Sequence, residues 1–318
     1  MNISICIATF RRMERLRAVL HDIEIQQHQP YEVIVVDNDA AASARGVIDW
    51  ARQRFTNYPI RYEVQPVQNI SLTRNRTVEL ASGDWLAFID DDERAPADWL
   101  LELASAARRY SADCVLGPVV PVVSHAAPLW IRRGTFYDWP RMRTGAIVPR
   151  NQLRFGNVLI RGSFLRQCPE PFDPAYGLTG GEDGDLLSRM ANEGARIIWC
   201  DEAMVQEPVE ASRLSLHWLL RRALRGGQDF ARHTLAGRYG PVTSSRRLRF
   251  IARALLQSMA ALGMAAIAWP VGSHRVAHWL LKAAANAGKL SVFWGYHYRE
   301  YDARPAAAGT ARDRNASA

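Results

Sequence analysis

Leu86-Ala87-Phe88-Ile89-Asp90-Asp91-Asp92-Glu93 is the stretch on which the fold turns. Four apolar residues enter and four acids leave. The apolar half has the uninterrupted pattern of a strand buried on both faces, as in a parallel sheet. A buried strand does not hold three consecutive carboxylates, so the chain must emerge at a sheet edge there. In open α/β sheets the carboxyl ends of the strands are where ligands bind. Acid clusters at such a mouth hold hard cations through oxygen ligands. Standing alone, the triplet reads equally well as a charged turn, and its neighbours decide the case.

Upstream, residues 3–8 read as another buried strand, ended by Thr9-Phe10-Arg11. Leu16, Val19, Leu20 and Ile23 then recur at the spacing of an amphipathic helix. Val33-Ile34-Val35-Val36 is a second strand, and it too runs into polar residues, Asp37-Asn38-Asp39. A helix is expected near 47–55, a strand at 60–64, and a loop and helix over 69–82, with Ser71 as N-cap and Gly83 as stop. Downstream, Pro96 suits the first turn of a helix whose buried stripe is Leu100, Leu103, Ala104 and Ala107. The valine-rich residues 114–123 read as one further strand. This alternation implies a parallel or mostly parallel sheet with right-handed crossovers.

Periodicity fades over 125–151, which is rich in Arg, Trp, Pro and Gly and reads as a long functional loop. Strands are expected again at 155–161, 196–199 and 203–205, and a helix at 182–192. Leu216, Leu219, Leu220, Ala223 and Leu224 form a helical stripe whose opposite side carries Arg221, Arg222 and Arg225; Gly226-Gly227 is expected to end or bend that helix. Residues 254–272 hold no charge over 19 positions but are dominated by Ala and include Gln257 and Pro270. A spanning helix needs about 20 predominantly apolar residues. A helical hairpin packed on the domain or lying at a membrane surface is therefore the expectation. The flanking Arg246, Arg247, Arg249 and Arg253 suit an anionic headgroup layer. Residues 303–318 are low in apolar bulk and read as a disordered tail.

A chain of 318 residues, 48% of them hydrophobic, can bury the core of one large α/β domain and carry an appendage. The net charge of +8 favours anionic partners without choosing among them. No reader motif for nucleic acid is recognisable, so none is expected as partner. Cys6, Cys114, Cys168 and Cys200 are far apart, which argues against a zinc site and a disulfide framework. Together with a first strand beginning almost at Met1, this leads to the expectation of a reducing, cytoplasmic location.

In a parallel sheet the three strand ends, at Thr9, Asp37 and Asp90, lie on one side, so their clusters converge on one crevice. One carboxylate there can accept an imide N–H, a second ribose hydroxyls, and a third can ligate a phosphate-bound metal. Neither G-x-G-x-x-G nor a P-loop follows the first strand. Phosphates must then be held by a metal and by basic side chains, with Arg74 of Thr73-Arg74-Asn75-Arg76 a candidate for nucleotide contact. A second acid site stands at Thr179-Gly180-Gly181-Glu182-Asp183-Gly184-Asp185. Its glycines let the backbone approach a ligand. A carboxylate there, beside an acceptor hydroxyl, can take its proton.

The ordered set Ile5-Cys6-Ile7-Ala8-Thr9-Phe10, Val35-Val36-Asp37-Asn38, Arg74-Asn75, Ala81-Ser82-Gly83-Asp84, Phe88 to Glu93 and Trp99-Leu100 resembles the nucleotide-sugar half of family 2 glycosyltransferases. Gly156-Asn157-Val158-Leu159-Ile160-Arg161 and Gly180-Gly181-Glu182-Asp183 resemble the acceptor half, and bacterial exopolysaccharide transferases of the succinoglycan type are similar. The resemblance covers roughly residues 1–230. It implies a GT-A fold, a Rossmann-like and mostly parallel sheet with helices on both faces. On that basis residues 1–240 are one catalytic domain (1–123 for the nucleotide sugar, 124–240 for the acceptor); the helical segment at 241–302 that follows is read as membrane-associating from its own apolar and basic residues.

It also implies an inverting transfer of a hexose. By position Thr9 and Asp37 would contact the base and Arg74 the nucleotide; Asp90 or Asp91 would reach the ribose; and Asp92 would hold Mg²⁺ or Mn²⁺ on the diphosphate. Asp183 would be the base, with Glu182 contacting acceptor hydroxyls. The implied partners are a nucleotide-diphosphate sugar, with UDP the expected nucleotide, and a saccharide or lipid-linked saccharide acceptor; the basic C-terminal segment favours the lipid-linked form, at the cytoplasmic face of a bacterial inner membrane. Processive relatives carry Gln-x-x-Arg-Trp where this chain reads His217-Trp218-Leu219-Leu220-Arg221-Arg222, which favours one sugar per acceptor. His217 and Glu207 are weak further candidates for the metal shell. Competing classes are a sugar-phosphate nucleotidyltransferase, which would need a Gly-rich loop after the first strand, and a non-catalytic binding module, against which the intact acids argue.

Overall fold

The computed structural model describes residues 1–300; the tail expected at 303–318 lies outside the described residues. In the first part of the chain, strands β1 (Ile3–Thr9), β2 (Glu32–Asp37), β3 (Ile60–Val64) and β4 (Trp85–Phe88) alternate with helices α1 (Met13–Glu24), α2 (Arg45–Arg54), α3 (Ile70–Leu80) and α4 (Trp99–Arg109). Then come β5 (Cys114–Leu116), β6 (Val119–Val122), α5 (Leu129–Gly134), β7 (Val158–Arg161), α6 (Gly162–Arg166), α7 (Glu182–Asn192), β8 (Ile197–Trp199) and β9 (Val205–Pro208). Three long helices follow: α8 (Leu216–Leu235), α9 (Ser244–Ile267) and α10 (Ser273–Ser291).

Seven strands form one sheet in the order β3-β2-β1-β4-β7-β5-β8. All neighbours run parallel except β7, which is antiparallel to β4 and β5. Alternate side chains feed two cores. Ile3, Ile5 and Ile7 pack with Leu16, Ile48 and Leu103 on the face of α1, α2 and α4. Cys6, Leu86 and Phe88 pack with Val78, Leu165 and Leu187 on the face of α3, α6 and α7. Strands buried on both faces carry uninterrupted apolar runs for this reason. Cys6 and Cys114 are buried within the sheet, as their apolar surroundings predict.

Five local readings change. The valine-rich 114–123 run is two strands. Gly117 separates them, where a Cβ would lie 2.3 Å from the Ala203 carbonyl oxygen. Beyond it, β6 leaves the main sheet and pairs in parallel with β9, Val119 opposite Val205. That pairing moves the strand expected at 203–205 to residues 205–208. The N-cap of α3 is Asn69, whose side chain accepts from Leu72 N at 3.0 Å, so Ser71 falls inside the helix and is buried. Pro96 lies ahead of α4, its carbonyl receiving Trp99 N.

Lastly, α8 runs through Gly226-Gly227 without ending. Gly227 is a packing residue: a Cβ there would lie 1.9 Å from the Ala285 carbonyl oxygen, and one on Gly288 would lie 2.0 Å from that of Leu224. The two glycines let α8 and α10 cross backbone to backbone. Gly226 meets nothing within 4 Å. Adjacent substitutions should therefore act in opposite directions. Gly227→Ala should lower stability by about 1–3 kcal/mol, since overpacking forces the helices apart. Gly226→Ala should raise it by up to about 1 kcal/mol through helix propensity. Thermal unfolding of both variants checks this, and equal midpoints would contradict the crossing.

Candidate active site

The chain steps outward from β1 to β2 to β3, then returns to the other side of β1 as β4. That reversal opens a crevice at the carboxyl ends of β1 and β4. Thr9, Asn38, Arg74 and Asp90, Asp91 and Asp92 line a cleft of about 300 Å³ there, closed on the far side by Arg213, Trp218, Arg222 and Arg225. A second cleft of about 290 Å³ lies beside it and is lined by Glu182, Asp183, Trp139, Phe155 and Asp229. Arg74, Asp90, Glu207, Arg222 and Arg225 border both. The two acid motifs, 90 residues apart in sequence, thus face one continuous site.

Arg74 joins them. Its Nη1 donates to Glu182 Oε1 at 2.5 Å and its Nη2 to Asp90 Oδ1 at 3.2 Å. The guanidinium lies over the Phe155 ring, 4.6 Å from the centroid, which holds its plane. The charge stays inside because both carboxylates and the ring face it. Glu182 is buried, and loss of hydration raises its carboxyl to about 7 although Arg74 pulls it down. Asp90 stands in the cleft wall with its side chain half exposed; the protein crowding it on the other side raises its carboxyl, Arg74 opposes this, and Asp92 adds to it. Glu93, buried behind, accepts from Asp90 N at 3.1 Å and pins the turn. Gly156, at φ 106°, allows that packing, since its Cβ would lie 2.7 Å from Glu93 Oε1.

Asp91 and Asp92 turn the other way. Asp91 accepts from Thr9 Oγ1 at 2.8 Å and Arg12 Nη1 at 2.8 Å. Burial raises it to about 6, against the pull of Arg12. Asp92 Oδ2 faces three guanidiniums, Arg12 at 3.1 Å, Arg15 at 3.3 Å and Arg213 at 3.4 Å. Among the described residues no three His, Cys, Asp or Glu side chains gather into a metal cage. A hard cation at Asp92 would have one or two carboxylates for ligands and would need substrate phosphate oxygens both to complete its shell and to draw the three guanidiniums off that carboxylate.

Of the residues singled out from sequence, Thr9, Arg74, Asp90, Asp91, Asp92, Glu182 and Asp183 border the two clefts. Asp37 does not. It is 0% exposed and accepts from Asp39 N, Ala44 N, Ser43 Oγ and Tyr62 Oη, so its carboxylate caps the turn into α2. Asn38, the next residue, forms the cleft wall in its place. Glu207 borders both clefts and accepts from Arg213 Nη1 at 2.6 Å, whereas His217 is exposed on α8 and borders neither.

Missing from that sequence set are Arg12, Arg15, Arg213 and Asp229. Arg12 could have been found, because it directly follows the Thr9-Phe10-Arg11 strand end. Arg222 and Arg225 are visible in sequence only as the polar side of a helix. Asp229 sits on α8 against the glycine turn, 3.0 Å from where a Gly181 Cβ would be, and burial raises it to about 8. Gly180 and Gly181 adopt φ 81° and 97°, which delivers Glu182 and Asp183 in the first turn of α7. His233 Nε2 lies 2.9 Å from the Gly181 carbonyl oxygen and steadies that turn.

Residues 4–164 match the family model described as "Glycosyl transferase family 2". The chain is 33% identical over 310 residues to the succinoglycan biosynthesis protein ExoM of Rhizobium meliloti (strain 1021), covering 96% of this chain and 97% of that protein. Among solved structures, the mannosyltransferase PcManGT from Pyrobaculum calidifontis, in complex with GDP-Man and Mn²⁺, superposes with a TM-score of 0.60 at 17% identity, covering 93% of this chain and 88% of that one. S. aureus TarS 1-349 in complex with UDP superposes with a TM-score of 0.52 at 17% identity, covering 94% and 93%. These two share the GT-A-like architecture, a mostly parallel sheet flanked by helices. The expected fold is therefore found, and the chain belongs to glycosyl transferase family 2.

Proposed function

We propose that the protein transfers a hexose from a nucleotide-diphosphate sugar to a saccharide acceptor, inverting the anomeric configuration, in synthesis of a bacterial surface polysaccharide. The observation that carries this is the Arg74 bridge, which places a strand-end acid cleft and a helix-start acid cleft on either side of one guanidinium. The exopolysaccharide role of the 33% identical relative supports the product class. The nucleotide complexes of the two structural neighbours support the donor class. We assign the acceptor to a lipid-linked saccharide at the cytoplasmic face of the membrane, on the strength of the basic, apolar C-terminal helices.

The donor's nucleotide occupies the cleft of Thr9, Asn38 and Asp90, with Asp37 holding the turn that presents Asn38. Asp92, with Asp90 beside it, would hold Mg²⁺ or Mn²⁺ on the diphosphate. Such an ion, when bound, offsets charge on the leaving group. Arg213 and Arg222 border the same cleft and act on that charge as well. The acceptor sugar occupies the cleft of Trp139 and Asp183. Asp183 takes the acceptor hydroxyl proton as that oxygen bonds to the anomeric carbon. The bond from that carbon to the diphosphate oxygen breaks, and its electron pair leaves with the nucleotide. A single displacement of this kind inverts the centre. Glu182 is held on Arg74 and orients acceptor hydroxyls rather than receiving the proton.

Incubation of the full chain with a panel of nucleotide sugars and membrane lipid extract, read by mass spectrometry, should yield a product heavier by one hexose. Absence of any product, with nucleotide sugars still bound, would favour a binding module. Asp92→Asn should weaken metal-dependent nucleotide-sugar binding by at least about 10-fold. Unchanged affinity and an unchanged metal response by calorimetry would remove Asp92 from that role.

A further inference from the structure

Helix α9 is packed in an inverted sense. A helix on a water-soluble domain turns its large apolar side chains inward. In α9 the buried positions are Ala254, Ala261 and Ala265. Between them Ser258 donates to the Ala283 carbonyl oxygen of α10. The large residues Leu248, Leu255, Leu256, Met259, Leu262 and Ile267 point outward. Leu256 is 69% exposed, Met259 71%, and Trp269 just past the helix 78%. Small residues in the seam and large ones outside are what helix pairs show when their surroundings are lipid.

Beside this apolar face is a cavity of about 490 Å³ lined by Arg246, Arg247, Arg249, Arg253 and Lys289, with Phe250 and Tyr239. No Asp or Glu lines it; residues 230–299 contain ten Lys and Arg and no Asp or Glu, and of those ten Arg238 is paired with Asp185 outside the lining. The cavity therefore complements a phosphate, and the face next to it complements acyl chain. By length and composition α9 could cross a membrane. It is packed along α10, however, whose Arg275, His278 and Lys282 are exposed. Spanning would carry those groups into hydrocarbon, where charge is costly. A helix lying in the interface keeps them in water.

We infer that α9 and the Trp269 turn are a membrane-docking surface, with the outer face entering the headgroup boundary of an anionic leaflet and the Arg249–Arg253 side of the cavity taking a lipid phosphate. This deepens the proposed acceptor by naming the surface on which it is met. The test needs neither donor nor acceptor, so its failure and the failure of sugar transfer are told apart.

The full chain is floated with vesicles of phosphatidylcholine alone and of phosphatidylcholine with phosphatidylglycerol. Binding is expected to the second kind, with little to the first, and inorganic phosphate should not abolish it. Arg249→Ala with Arg253→Ala should weaken binding by roughly 10-fold or more. Met259→Glu with Leu262→Glu should abolish it, with circular dichroism unchanged because both residues are exposed. Equal binding to both vesicles, or binding to neither, would overturn the proposal. So would displacement by inorganic phosphate. A concentration-dependent dimer in sedimentation that Met259→Glu disperses would overturn it in favour of a second copy on this face.

Discussion

Asp183→Asn is expected to lower sugar transfer about 10²–10⁴-fold, the usual contribution of a positioned general base, while nucleotide-sugar affinity stays within about twofold. The two neighbouring acids differ in environment. Glu182 is buried against Arg74 and serves as its counter-charge. Asp183 lies on the wall of the second cleft, one carboxylate oxygen accepting from Gly184 N at 2.7 Å. The amide of Asn keeps the shape and an acceptor oxygen but not the basicity. Initial rates and calorimetric titration of the same preparation separate the two effects. A parallel loss of donor affinity would place Asp183 in donor binding instead.

Arg74→Ala is expected to abolish detectable transfer and to destabilise the fold by about 3–5 kcal/mol, the range for removing one partner of a buried ion pair. The deficit should depend on pH, with a definite sign. Burial raises Glu182 to about 7, and Arg74 is the strongest influence pulling it down. Without Arg74 the folded-state value rises further above the ordinary 4.5. A carboxyl with a folded pKa above its unfolded one favours the folded state at low pH, and that advantage is lost as pH rises through the folded value. Arg74→Ala should therefore lie nearest the wild type in mild acid and furthest from it above neutrality. Arg74→Lys keeps a charge but cannot reach Asp90 and Glu182 with one planar fork, so it should recover part of the stability and little of the activity. A pH-independent deficit in denaturant titrations would contradict the pairing.

The strand ends were legible because burial on both faces leaves a continuous apolar run that stops where the sheet stops. That Asp90 and Asp183 border the clefts was legible from their company: several acid or polar clusters stand at strand ends on one side of the sheet, and paired glycines precede the second acid motif at a helix start. Asp37 has the same sequence signature as Asp90 and a different fate: Tyr62 and the turn amides near Ala44 reach it first. No local pattern shows that competition. Arg213, Arg222 and Arg225 come to the cleft from well over a hundred residues beyond β4, by the path of α8, which a helical wheel reports only as a polar side. The inversion of α9 was hidden for a related reason: an Ala-rich apolar helix does not declare which of its faces meets protein.

The proposed single displacement makes one demand that no arrangement of binding contacts alone would satisfy. With a donor linked α to its diphosphate, proton NMR of the isolated product should show the new linkage as β. An α-linked product would mean retention, and would remove Asp183 from the role of base in a single displacement.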